Sequence, residues 1–112
     1  MPYIALRTNQ NIAQDQEKEL KTLLGQYISL LPGKSEVYLM CSFTSSSLYF
    51  QGSDAPCAIV QVNIYGKGNK EAYDKFTKKV TELVSEKLTI PSNRIYVEYI
   101  ETPYWGMDGK NF

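Results

Sequence analysis

Two segments of this chain carry apolar residues three and four positions apart, and each lies between two stretches of strand character. That strand–helix–strand pattern, met twice within 112 residues, restricts the fold more than any other feature of the sequence. In the first half, Pro2 to Asn9 alternates, with Ile4 and Leu6 on one face and Tyr3, Ala5 and Arg7 on the other. Asp15 to Leu31 then aligns Leu20, Leu23, Leu24, Tyr27, Ile28 and Leu31 along one side of a helix, which Pro32-Gly33 closes. Val37 to Phe43 is a continuous apolar run of strand length, the composition expected of a strand buried on both faces. A loop rich in Ser (Ser45, Ser46, Ser47) leads through Gly52-Ser53-Asp54-Ala55-Pro56 into the second half. There Ala58 to Tyr65 alternates again, Gly66 and Gly68 break the pattern, and Asn69 stands where a helix N-cap is needed. Tyr73, Phe76, Val80, Leu83, Val84 and Leu88 keep helical spacing as far as Ile90-Pro91, and Arg94 to Ile100 supplies a fourth strand. The tail from Thr102 to Phe112, rich in Gly and aromatics, is expected to be ordered by docking.

This order predicts one α+β domain over residues 1–112, in which two βαβ units share a four-stranded mixed sheet with both helices on one face. Something else must then cover the opposite face. Leu39, Ile59 and Ile100 are expected there, and an apolar sheet face calls for a cover, most simply further copies of the same chain.

The charge balance narrows the chemistry. Twelve Lys and Arg offset twelve Asp and Glu, so no global field favours nucleic acid or an anionic membrane. The absence of His excludes Ser-His-Asp and Cys-His catalysis. With only Cys41 and Cys57 as further soft ligands, no metal and no cofactor is expected. Both cysteines lie in apolar surroundings and read as reduced core residues. Met1-Pro2-Tyr3 runs directly into a strand pattern without signal-peptide character, and no segment is long and apolar enough to span a bilayer, so the expected address is cytoplasmic.

Several anchors occur together and in order: Met1-Pro2 opening into a strand, Thr8-Asn9 at its end, and Gly33-Lys34 after the first helix. Pro56-Cys57-Ala58, Ile64-Tyr65-Gly66, Ile90-Pro91, Arg94-Ile95-Tyr96-Val97 and the closing Gly109-Lys110-Asn111-Phe112 follow. Along essentially the whole chain they resemble the macrophage migration inhibitory factor and D-dopachrome tautomerase family. The resemblance implies a homotrimer whose sheets form a central barrel wrapped by the helices, with a pocket at each subunit interface. It implies cofactor-independent keto–enol tautomerisation of small aromatic or α-keto acids of the phenylpyruvate or dopachrome type. The alternative it carries is a cytokine-like signalling protein, secreted by a non-classical route to a cell-surface receptor, with a vestigial or altered pocket.

On this resemblance Pro2 is the catalytic base. Removal of Met1 would expose a secondary amine; an α-amino group titrates near about 7.7–8.0, and burial in an apolar site lowers that value. Lys34 would hold the substrate carboxylate, and the backbone N–H of Tyr65, standing where the family usually has Ile, would face it. Tyr96 and Glu98 share one strand face, as residues lent to a neighbour's pocket should. Glu98 replaces the Asn of macrophage migration inhibitory factor, and a carboxylate near Pro2 would favour prolinium, or activate water as in related hydratases. In the tail Trp105 and Met107 alternate, so an aromatic and thioether wall survives with the family's two positions exchanged. Cys57-Ala58-Ile59-Val60 lacks the second cysteine of the Cys-x-x-Cys stretch of vertebrate members, which removes a redox role resting on that motif.

Overall fold

The alternation at the N-terminus becomes β1 (Pro2–Thr8), with Ile4, Leu6 and Thr8 buried and the residues between them facing the other way. This is a computed structural model, and it describes residues 1–112. After β1 come α1 (Gln14–Tyr27), β2 (Met40–Ser45), β3 (Ala58–Tyr65), α2 (Lys70–Leu88) and β4 (Ile95–Thr102). A small hairpin of β5 (Gly106–Met107) and β6 (Lys110–Asn111) ends the chain. The main sheet has the order β2-β1-β3-β4, with β1–β2 and β3–β4 parallel and β1–β3 antiparallel. The two parallel pairs are the two βαβ units, joined in antiparallel fashion at the centre.

Side-chain period decides which face is dry. Ile4, Leu6, Val60, Val62 and Ile64 point to the side covered by α1 and α2, where Leu20, Leu24, Ile28, Phe76, Val80 and Val84 meet them in one core. Each of these side chains contributes about 1.5–3 kcal/mol by leaving water. Thr8 is buried among them without penalty because its hydroxyl donates to Cys57 O at 2.7 Å and accepts from Gln10 N–H at 3.1 Å. The expected cap forms: Asn69 Oδ1 accepts from Ala72 N–H at 2.9 Å. At the other end Thr89 takes a left-handed conformation (φ 54°), and Ile90-Pro91 follows outside the helix.

Two expectations are corrected. The run Val37 to Phe43 is not buried on both faces: Glu36–Tyr38 is a 3₁₀ turn, Val37 is 81% exposed, and the strand begins only at Met40, itself 68% exposed. The physical reason is position, since β2 is an outer strand with helices on one side alone. Leu39 likewise leaves the open face, because it packs with Cys41 and Phe43 against the helix-side core. Ile59 and Ile100 do lie on the open face, among Tyr3, Arg7, Gln61, Asn63, Tyr96 and Glu98. Polar pairs cross that face: Tyr3 and Ser42 share a hydrogen bond of 2.7 Å, and Gln61 Nε2 donates to Glu98 Oε1 at 2.8 Å.

Both cysteines are free thiols, Cys57 buried and Cys41 half-buried; burial first, and Glu36 second, push the Cys41 thiol up to about 11. No helix is long and apolar enough to cross a membrane.

Candidate active site

Pro2 opens β1, is buried, and pairs across the sheet with Ile64 of β3. The turn after α1 sends Lys34 to the same end. Gly33 takes φ 76°, a conformation that suits glycine, and Lys34 N–H donates to Leu31 O at 3.0 Å. The Lys34 ammonium then donates to Tyr65 O at 3.0 Å. Tyr65 N–H donates in turn to Met1 O at 3.1 Å, so the last residue of β3 is gripped through both its backbone groups. Gly66, at φ 85°, turns the chain away while its N–H donates to Thr102 O at 2.9 Å.

The electrostatics of this end favour a neutral amine. The Met1 amino group is held below its ordinary 8.0, first by burial and then by the Lys34 ammonium beside it. In the chain as it stands Pro2 nitrogen is an amide, so the group that titrates is one residue upstream of the expected base.

The tail, expected to be ordered by docking, instead folds on itself, stays exposed from Gly106 to Phe112, and reaches this end through Phe112. Asp108 and Gly109, both at positive φ (55° and 76°), make the tight turn between β5 and β6. Phe112 N–H donates to Trp105 O at 2.9 Å, and the Phe112 ring reaches the Tyr65 ring, centroids 6.0 Å apart. Met107 pairs with Lys110, and by the alternation of strands Trp105 and Met107 occupy the hairpin face that carries Phe112. Pro2, Lys34, Tyr65 and this hairpin therefore gather at one end of the sheet.

Tyr96 and Glu98 do not join them within one chain. Tyr96 pairs with Ile59 and Glu98 with Gln61, whereas Pro2 pairs with Ile64. At about 3.3 Å per residue, Tyr96 stands roughly 17 Å along the sheet from the Pro2 end. Its ring, 62% exposed, packs on Phe50 with centroids 4.8 Å apart, and Glu98 is bonded to Gln61. Sequence reasoning assigned no role to Phe112, Phe50 or Arg94. Phe112 carried a signal, as an aromatic at the end of a Gly-rich tail. Arg94 stood in an anchor of the resemblance with no role attached and Phe50 carried no signal, because their contacts are made between segments about forty residues apart in the chain.

The comparisons with known proteins bear on the fold. The family model described as macrophage migration inhibitory factor matches residues 1–111. The macrophage migration inhibitory factor homolog of Brugia malayi is 26% identical over 105 residues, covering 90% of this chain and 88% of its own. Macrophage migration inhibitory factor of Mus musculus is 28% identical over 102 residues, with the same two coverages of 90% and 88%. Among solved structures, Leishmania major MIF2 superposes with a TM-score of 0.93 at 28% identity, over 100% of this chain and 97% of that one. With the family model matched over residues 1–111 and the fold shared with a solved member over the whole of this chain, the chain belongs to the macrophage migration inhibitory factor family.

Proposed function

We propose that this protein is a cofactor-independent keto–enol tautomerase, an isomerase of the phenylpyruvate or dopachrome type, with the Pro2 amine as general acid and base once Met1 is removed. The observation that carries the reading is the junction of Met1, Lys34 and Tyr65. Loss of Met1 does two things there at once. It converts the Pro2 amide into a secondary amine, in a buried place beside the same ammonium that lowers the Met1 amine. It also removes the carbonyl that Tyr65 N–H now serves, which frees that donor for a substrate carboxylate oxygen.

The chemistry follows from these groups. Lys34 Nζ and Tyr65 N–H bind the carboxylate of an α-keto acid, two donors for an anion, and so orient the carbon next to the carbonyl towards Pro2. The neutral amine takes the enol hydroxyl proton and delivers a proton to that carbon, a 1,3-shift that needs no redox partner. Trp105, Met107 and Phe112 supply apolar surface for a planar aryl group. Tyr96 and Glu98 would come from a neighbouring copy in a homotrimer. The open sheet face, with Ile59, Ile100 and bonded polar pairs, supports such an assembly.

Glu98 favours the second reading, a signalling ligand whose pocket is incidental, because a carboxylate brought to Pro2 would oppose the base. One experiment separates them: ketonisation of phenylpyruvate, followed by ultraviolet absorbance on protein shown by intact mass to lack Met1, beside Pro2→Gly. Turnover lost in the variant supports the amine mechanism. A processed oligomer without turnover sinks the tautomerase reading.

A further inference from the structure

The loop between β2 and β3 has one regular feature, the turn Phe50–Ser53, closed by Phe50 N–H to Ser53 O at 2.9 Å and Ser53 N–H to Phe50 O at 3.1 Å. Six of its carbonyls, two of them in that turn, are served by two side chains from outside the loop. Asn9 Nδ2 donates to the carbonyls of Leu48, Asp54 and Ala55 at 3.1, 3.0 and 3.0 Å, and Asn9 Oδ1 accepts from Cys57 N–H at 3.0 Å. Arg94, just before β4, donates from Nε to Pro56 O at 2.9 Å. From Nη2 it reaches the carbonyls of Phe50, Ser53 and Ala55 at 3.1, 3.2 and 3.1 Å. The guanidinium also lies 5.2 Å from the centroid of the Phe50 ring.

What this clamp holds in place is Phe50, the ring that backs Tyr96 at 4.8 Å and 42°. Leu48, Tyr49, Phe50, Ile59 and Tyr96 border an apolar hollow of about 110 Å³. A dry apolar cavity of roughly 150 Å³ takes up benzene, so the hollow is of the order of one aryl ring. A planar fork is required for the grip: Arg serves several carbonyls from one rigid plane, whereas the Lys ammonium is a point donor on a flexible stem.

We propose that Arg94 is a positioning residue: by fixing the 48–57 loop it sets the Phe50–Tyr96 pair as an aryl-recognising wall, and so selects planar aryl acids over short aliphatic α-keto acids. The inference rests on the tautomerase reading above, with Tyr96 serving the Pro2 of a neighbouring copy. It concerns which acids are chosen, not whether the amine works.

The test compares Met1-free wild type, Arg94→Lys and Phe50→Leu, each shown by light scattering to have the same oligomeric state. Turnover is measured on the enols of phenylpyruvate and of a short aliphatic α-keto acid. The expected result is a loss of about three- to tenfold in kcat/KM for phenylpyruvate in both variants, carried by KM, the size of losing one aromatic pair. The aliphatic acid should change by less than about twofold, since it does not reach the wall. Phe50→Tyr, which keeps the ring, should restore the preference. A second readout does not depend on turnover. The Tyr96 ring resonance, identified by its absence in Tyr96→Phe, should shift when wild type is titrated with 3-phenylpropanoate, an unreactive aryl acid, and respond only at higher concentration in Arg94→Lys. Equal losses on both acids, or a Tyr96 resonance indifferent to the aryl acid, overturn the inference. Absence of wild-type turnover with a responsive Tyr96 would instead count against the tautomerase reading and leave the aryl wall supported. Phe50→Leu keeps the question open to decision if Arg94→Lys fails to assemble.

Discussion

Lys34 and Tyr65 are joined by a hydrogen bond of 3.0 Å from the ammonium to the carbonyl, across 31 residues of sequence, while the N–H of the same Tyr65 serves Met1 O. The bond aims a cation at the Pro2 end and holds it there without a carboxylate partner. A substrate carboxylate would therefore meet an ammonium already in place. Lys34→Gln should raise KM for phenylpyruvate by about 10- to 100-fold, the range expected for one charge-assisted hydrogen bond. The fall in kcat should be smaller, because the amine remains. An unchanged KM would remove Lys34 from the binding role.

The same substitution should move the pH profile. The Met1 amine lies below 8.0 because of burial and the positive charge of Lys34, and the Pro2 amine of processed protein would feel both. Only the neutral amine accepts a proton, so kcat/KM should rise with pH and level off above the amine's pKa. Lys34→Gln deletes the cation that disfavours prolinium, so the rising limb should shift to higher pH. A limb that stays in place, or moves to lower pH, would show that Lys34 does not act on the base.

Glu98 offers the converse test. Its carboxylate is exposed on the open sheet face and accepts from Gln61 at 2.8 Å. If a neighbouring copy places it near Pro2, its charge stabilises prolinium and reduces the neutral fraction. Glu98→Asn keeps an acceptor for Gln61 and removes the charge. Turnover of phenylpyruvate near neutral pH should increase about three- to tenfold, with the rising limb displaced to lower pH. A variant no faster than wild type would mean that Glu98 does not reach the amine.

How far the sequence carried these conclusions depended on the range of each interaction. The alternation of Pro2 to Asn9 and Ala58 to Tyr65, the helical spacing around Leu20 and Phe76, and the Asn69 cap are local properties, and the structure contains them all. The run Val37 to Phe43 misled because an apolar run does not say whether its strand lies inside a sheet or at its edge. Leu39 misled through parity: one residue of offset carries a side chain to the opposite face. Pro2 and Tyr65 converge with Lys34 in the structure: the first two stand at ends of strands, and Lys34 follows a Pro-Gly turn, all of them boundaries visible in the sequence. The Arg94 clamp and the ring contact between Phe112 and Tyr65 were not legible, since each joins segments about forty or more residues apart with no shared pattern.

Behind Tyr65 a second cluster holds the loop that leaves β3. Glu101 Oε2 accepts from the Tyr73 hydroxyl at 2.6 Å and from Gly68 N–H at 2.9 Å, and Gly68 N–H also reaches Tyr73 Oη at 3.1 Å. A Cβ on Gly68 would fall 2.5 Å from that hydroxyl oxygen, so a side chain there would have to displace the Tyr73 ring. The Tyr73 hydroxyl, followed by Gly68 N–H, holds the Glu101 carboxyl below its usual 4.5. Burial, then the bond to Glu101, pushes the Tyr73 phenol up to about 12, so it remains a donor at neutral pH. A carboxylate whose pKa is lower in the folded than in the unfolded chain adds stability that is complete above the unfolded value. That stability is lost as pH falls through the folded one. Glu101→Gln keeps an oxygen acceptor but gives up the charge. Its urea midpoint at neutral pH should therefore lie below that of wild type at equal protein concentration. The difference should hold down to 4.5 and close only below it, as the wild-type carboxyl takes up its proton. A gap that persisted unchanged well into the acid range would show that shape, and not the charge of Glu101, holds the loop behind Tyr65.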